Sequence, residues 1–130
     1  MEPNASEAIK EHFRLADRFL QTARANQGLG DLRSAVDRAY YAMFHAASAA
    51  LERKGITVKR HSTLHQRFNE EYLKTGVMDP ELGKYLPRAY SLRQDSDYKL
   101  FSEIDESRAD EIVGRAEEFV AKLKEILGFK

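Results

Sequence analysis

Apolar residues recur at three- and four-residue spacing along most of the chain, the period of helices buried on one face. In the first such stretch Ala8, Ile9, His12, Phe13, Leu15, Ala16, Phe19, Leu20 and Ala23 form the apolar stripe. Glu7, Lys10, Glu11, Arg14, Asp17, Arg18 and Arg24 form the solvated side. Asn4 or Ser6 supplies an N-cap, and the helix is expected to end near Asn26, before the break at Gly28, Leu29 and Gly30. Asp31 opens a second helix that runs to about Lys54 and stops at Gly55. Residues 37–51 of it, DRAYYAMFHAASAAL, are the most apolar and alanine-rich stretch of the chain. At about 100° per residue, Val36, Ala39, Tyr40, Met43, Phe44, Ala47, Ala50 and Leu51 share a broad apolar arc. Arg38, Tyr41, His45, Ser48 and Glu52 share the opposite face. The pattern predicts a central helix packed on several neighbours, with alanines allowing close approach and one polar stripe left over.

Residues 56–61 read as a loop, because their β-branched positions have no strand to pair with. Ser62 is expected to cap a third helix with Leu64, Phe68 and Tyr72 or Leu73 inside, ending at Gly76. Asp79 and Pro80 are a cap followed by a first-turn proline, opening a fourth segment through Leu82, Tyr85 and Leu86. Pro87 removes an internal hydrogen bond, which predicts a kink or short break there before helix resumes through Tyr90, Leu92 and Arg93 to about Tyr98. Residues 99–104 read as a linker anchored by Leu100 and Phe101. Asp105 or Ser107 caps the last helix, whose inner face carries Ala109, Ile112, Val113, Ala116, Phe119, Val120, Leu123, Ile126 and Leu127 before Gly128. The expected fold is all-α: one domain over residues 1–130, core 5–127, built as an up-and-down bundle of about five helices.

Composition narrows the function classes. The chain is 42% apolar and 32% charged, as in a soluble globular domain, and no apolar run approaches the roughly 18 residues of a membrane span. The polar, acidic N-terminus does not read as a signal peptide, and cysteine is absent, so a cytoplasmic location is expected. Lys+Arg and Asp+Glu are both 21, so no global basic field draws the protein to nucleic acid; any such contact needs a local patch.

Three groups of residues could supply that patch or another chemistry. Arg38, Tyr41 and His45 line the polar stripe, either as a satisfied seam, with Asp37 or Glu52 pairing Arg38, or as a site. Lys59, Arg60, His61, His65 and Arg67 are the densest cationic cluster, at a helix N-terminus where backbone N–H groups favour anions. His61 and His65 have i, i+4 spacing, but no Glu stands between them as in a zinc-protease helix and cysteine is absent, so neither metal nor cofactor is expected. Arg93 and Asp97 can pair at i, i+4, either tying the helix to the bundle or orienting a phosphate-binding cation beside Tyr98.

RAYYAMFHAASAAL at 38–51 resembles the second helix of prokaryotic HEPN-domain proteins (higher eukaryotes and prokaryotes nucleotide-binding). Three further pieces follow in order: Lys59-Arg60-His61-Ser62, like the family's K-x-H-S; Arg93-Gln94-Asp95-Ser96-Asp97-Tyr98, like its R-x-x-x-D-Y; and the terminal helix from about Ser107. The resemblance spans residues 8–127 and implies a bundle that usually dimerises. It also implies a toxin–antitoxin-like pairing with a minimal nucleotidyltransferase and a site at the Arg93–Tyr98 corner. Several branches of the family are metal-independent ribonucleases carrying Arg, four to six residues, then His. In the toxin branch a tyrosine two residues beyond that His is modified by the partner. Here the position five beyond Arg93 is Tyr98, and no histidine follows it.

The expected function is therefore a HEPN-type binding module, dimeric, acting with a nucleotidyltransferase and contacting nucleotide or RNA phosphates. Arg93, Asp97, Tyr98, Arg38, Lys59 and Arg60 are the contact residues. One alternative is a metal-independent ribonuclease toxin using Arg93 as the cation and His45 as the imidazole. The other is a bundle with only structural and interaction roles.

Overall fold

The computed structural model describes residues 4–98 and 104–129, with the side chains of 95–98 left aside. Asn4 caps α1 (Ala5–Gly28) by accepting a hydrogen bond from the Glu7 backbone N–H at 2.9 Å. Asp31 caps α2 (Leu32–Arg53) in the same way through Ser34. The chain leaves α2 at Gly55, whose φ of +76° is a left-handed conformation that side chains resist. Next come α3 (His61–Phe68), a π-helical turn (Asn69–Leu73), the single turn α4 (Pro80–Gly83), α5 (Tyr85–Tyr98) and α6 (Glu106–Leu127). Asp105 caps α6, and Gly128 ends it in a left-handed conformation. No strand occurs among the described residues, and none of their helices is long and apolar enough to cross a membrane.

The bundle forms around α2, which packs on α1, α3, α5 and α6. Side-chain pairs give the directions. Asp17 meets Lys124 and Arg24 meets Asp110, so α1 and α6 run antiparallel. Phe19 meets Tyr41 and His12 meets His45, so α1 and α2 do as well, and Asp37 meeting Arg93 with Tyr40 meeting Tyr90 sets α5 antiparallel to α2. The result is an up-and-down arrangement, with α3, the π turn and α4 crossing from the end of α2 to the start of α5. Seven alanines of α2, at 35, 39, 42, 46, 47, 49 and 50, are wholly buried, the close approach that small residues allow.

Three local expectations change. Helix α3 begins at His61, with Arg60 as N-cap and no side-chain cap hydrogen bond, so Ser62 lies inside the first turn. His61 is fastened there to Tyr40 of α2, which fixes where the turn starts. The break in the fourth segment falls at Lys84 rather than at Pro87. Pro87 sits in the first turn of α5, where a backbone N–H would have no helical partner to lose. Ser48, read as part of the polar stripe, is buried and donates its hydroxyl to the Phe44 carbonyl at 2.9 Å. The linker anchors Leu100 and Phe101 lie outside the described residues.

Candidate functional site at the α2–α5 corner

Asp37 on α2 accepts two charge-assisted hydrogen bonds. Its Oδ1 takes Arg93 Nε from α5 at 2.6 Å, and its Oδ2 takes Arg38 Nη1 at 2.7 Å. Arg93 Nη2 also donates to Tyr41 Oη at 3.1 Å. The guanidinium carbon of Arg93 lies 5.1 Å from the ring centroid of Tyr41, 5.6 Å from that of Tyr40 and 5.8 Å from that of Tyr90. Three π faces and one carboxylate thus hold a single cation, leaving its side chain 20% exposed. Arg38 beside it is 41% exposed.

Behind this corner stands a buried phenol. Tyr40 is inaccessible to solvent, and its Oη lies 2.7 Å from His61 Nδ1 and 2.9 Å from His65 Nε2. A hydroxyl has one proton, so Tyr40 donates to one imidazole and accepts an N–H from the other. Burial raises the Tyr40 proton affinity above that of a free phenol, with Tyr90 adding to the effect and Arg93 opposing it. Burial also lowers His65 to a pKa of about 4, with His61 contributing. His61 is lowered too, first by burial and then by the positive charge of Arg93. Near neutrality the arrangement is therefore a fixed guanidinium next to a neutral, partly exposed imidazole.

The other predicted residues fall in different places. His45 turns toward α1, where its Nδ1 lies 3.0 Å from His12 Nδ1, and its ring stacks on Phe19 with centroids 5.6 Å apart. Burial, then the neighbouring His12, brings His45 to a pKa of about 4. The polar stripe of α2 therefore divides: Arg38 and Tyr41 belong to the Arg93 corner, and His45 belongs to the α1 interface. Lys59 and Arg60 are exposed just before α3. Arg67 pairs with Glu70 and Glu71 and is withdrawn from the cationic cluster. The side chains of Asp97 and Tyr98 lie outside the described residues. Among the described residues no three His, Asp, Glu or Cys side chains gather as a metal site would need.

Sequence reasoning missed Asp37 as the partner of Arg93 and Tyr40 as the hub of two histidines. Asp37 lies four residues before Tyr41, hence on the same helical face, and that spacing was a signal for the first. No signal marked the second, because Tyr40 falls within the apolar arc.

Comparison with known proteins gives the family of the chain. The model of the HEPN domain matches residues 9–126. A UPF0332 protein of Thermotoga maritima is 34% identical over 125 residues, covering 95% of each chain. Two proteins of Methanocaldococcus jannaschii bear the name "Putative toxin". One is 38% identical over 93 residues, covering 72% of this chain and 63% of its own. The other is 31% identical over 121 residues, covering 93% and 90%. With a family match running from α1 into the last turn of α6, this chain belongs to the HEPN domain family.

Proposed function

We propose that this chain is a toxin-type HEPN module that binds nucleotide or RNA phosphate at the Arg93 corner and acts as a dimer beside a minimal nucleotidyltransferase. The observation that carries the reading is the fixing of Arg93 by Asp37 and Tyr41 among three tyrosine rings, with Arg38 exposed alongside. An arginine oriented in this way offers directed N–H groups to a phosphate at little further ordering cost. The names of the Methanocaldococcus relatives support the toxin assignment, and the family resemblance supports the pairing and the dimer. Filter binding of a single-stranded RNA at moderate salt tests the site. Arg93→Ala and Arg38→Ala are expected to weaken binding at least tenfold, and unchanged binding in both rejects the corner. Sedimentation tests assembly: a monomer at micromolar concentration rejects the dimer. Co-purification from the host, with mass analysis of Tyr98 for a nucleotide adduct, tests the partner.

A second reading, metal-independent ribonuclease, draws support from His61. It is a neutral, partly exposed imidazole, held by Tyr40 through Nδ1 and close enough to Arg93 to feel its charge, whereas His45 faces α1 and His12. Under this reading purified protein cleaves RNA in the presence of a chelator and His61→Ala abolishes cleavage. Cleavage that survives His61→Ala, or none by pure wild-type protein, removes it.

A further inference from the structure

Away from the Arg93 corner, the surface opens into a cleft of about 450 Å³ between the π turn on one side and α4 with the first turn of α5 on the other. Its walls are apolar: Phe68 and Leu86 are buried behind it, and Leu73, Pro80 and Pro87 complete it. That size and lining are those of a small-molecule site rather than a packing defect.

Two features of the backbone shape the walls of the cleft. One is the π turn, in which the Lys74 N–H bonds the Asn69 carbonyl at 2.8 Å; such turns are uncommon and recur at functional sites. The other is Gly83. A Cβ built there would stand 2.4 Å from Leu73 Cδ2, so the missing side chain is what lets Leu73 lie against α4. Both residues line the cleft. Charge then selects the occupant. Lys84 is tied to Glu81 at 2.7 Å, so its charge is met within the protein. Lys74 is exposed, lines the cleft and has no ion pair among the described residues. An apolar chamber with one uncompensated ammonium matches an apolar body bearing a single negative group.

We propose that the cleft between the π turn and α4–α5 binds a small organic anion, its charge at Lys74 and its apolar body against Phe68, Leu73 and Leu86. The site is distinct from the Arg93 corner yet joined to it by one side chain. His65 lines the cleft and meets Tyr40 through its Nε2.

The probe is 8-anilinonaphthalene-1-sulfonate, titrated into the folded protein at neutral pH. Wild-type protein is expected to give saturable, one-to-one, blue-shifted fluorescence. Gly83→Ala is expected to weaken it at least tenfold by displacing Leu73, with the fold kept because alanine favours a helix. Lys74→Glu, a surface change, is expected to weaken it about fivefold. Decanoate is expected to compete, and decyltrimethylammonium is not. Absent or non-saturable fluorescence overturns the site, as does a dissociation constant within twofold of wild type in Gly83→Ala. Indifference to Lys74→Glu, or equal competition by the cationic amphiphile, overturns the choice of an anion.

Discussion

Asp37 holds two guanidinium groups at once, one from its own helix and one from α5. Its removal leaves Arg93 half-buried with only the neutral Tyr41 hydroxyl, the aromatic faces and its remaining local contacts. Asp37→Ala is expected to lower stability by about 1–2 kcal/mol in urea unfolding, the cost of a charge-assisted bond discounted for partial exposure. Tyr40→Phe takes a hydroxyl from two imidazoles together and is expected to cost about 1–3 kcal/mol, with no loss of apolar packing to confuse the result. The histidines set the acid limit. His45 and His65 have folded pKa values of about 4 against an ordinary 6.5. Between those values the unfolded chain binds protons that the folded chain does not, so stability falls as pH falls through that window. The loss is expected to reach roughly a few kcal/mol by pH 4, and a His45→Gln, His65→Gln double variant should flatten the dependence. At this scale the sequence was only partly readable. Arg38 and Tyr41 were identifiable because helical spacing places them on one face. The His12–His45 and Tyr40–His65 meetings depend on how helices register against one another, which spacing along one chain does not encode.

Helices and their caps were the most legible level. Asn4, Asp31, Asp79 and Asp105 are side chains that compete well for free N–H groups, and each caps the element it precedes. Asp105→Ala removes a 2.7 Å bond to the Arg108 N–H and is expected to cost about 1 kcal/mol in thermal or urea unfolding. The expected start of α3 was displaced by two residues because a tertiary bond, His61 to Tyr40, outweighed the capping preference of Ser62. The π turn had no visible signature, since a single wider turn hardly disturbs the apolar period through Leu64, Phe68 and Tyr72. Pro87 was read as a breaker when it is an initiator. The same missing N–H serves either role, and the placement of the Lys84 break decides which.

At the scale of the whole molecule, the three long helices α1, α2 and α6 share one core, and α5 adds to it along α2. The segment from α3 through α4 is different in kind: two short helices and a π turn laid along the side of α2 and against α6. The Arg93 corner lies on the seam, with Asp37 and Tyr41 on the long-helix side and Arg93 on α5, while His61 and His65 come from the crossing segment. Native-state amide exchange should accordingly show two tiers. Central amides of α1, α2 and α6 should exchange only through global unfolding, and those of α3 and the π turn through a smaller opening of lower free energy. Uniform protection across both sets would show one cooperative unit instead. In the two-tier case, denaturant too weak to unfold the protein detaches His61 and His65 from Tyr40 while Asp37 still grips Arg93. The imidazole and guanidinium halves of the corner are then separable in solution.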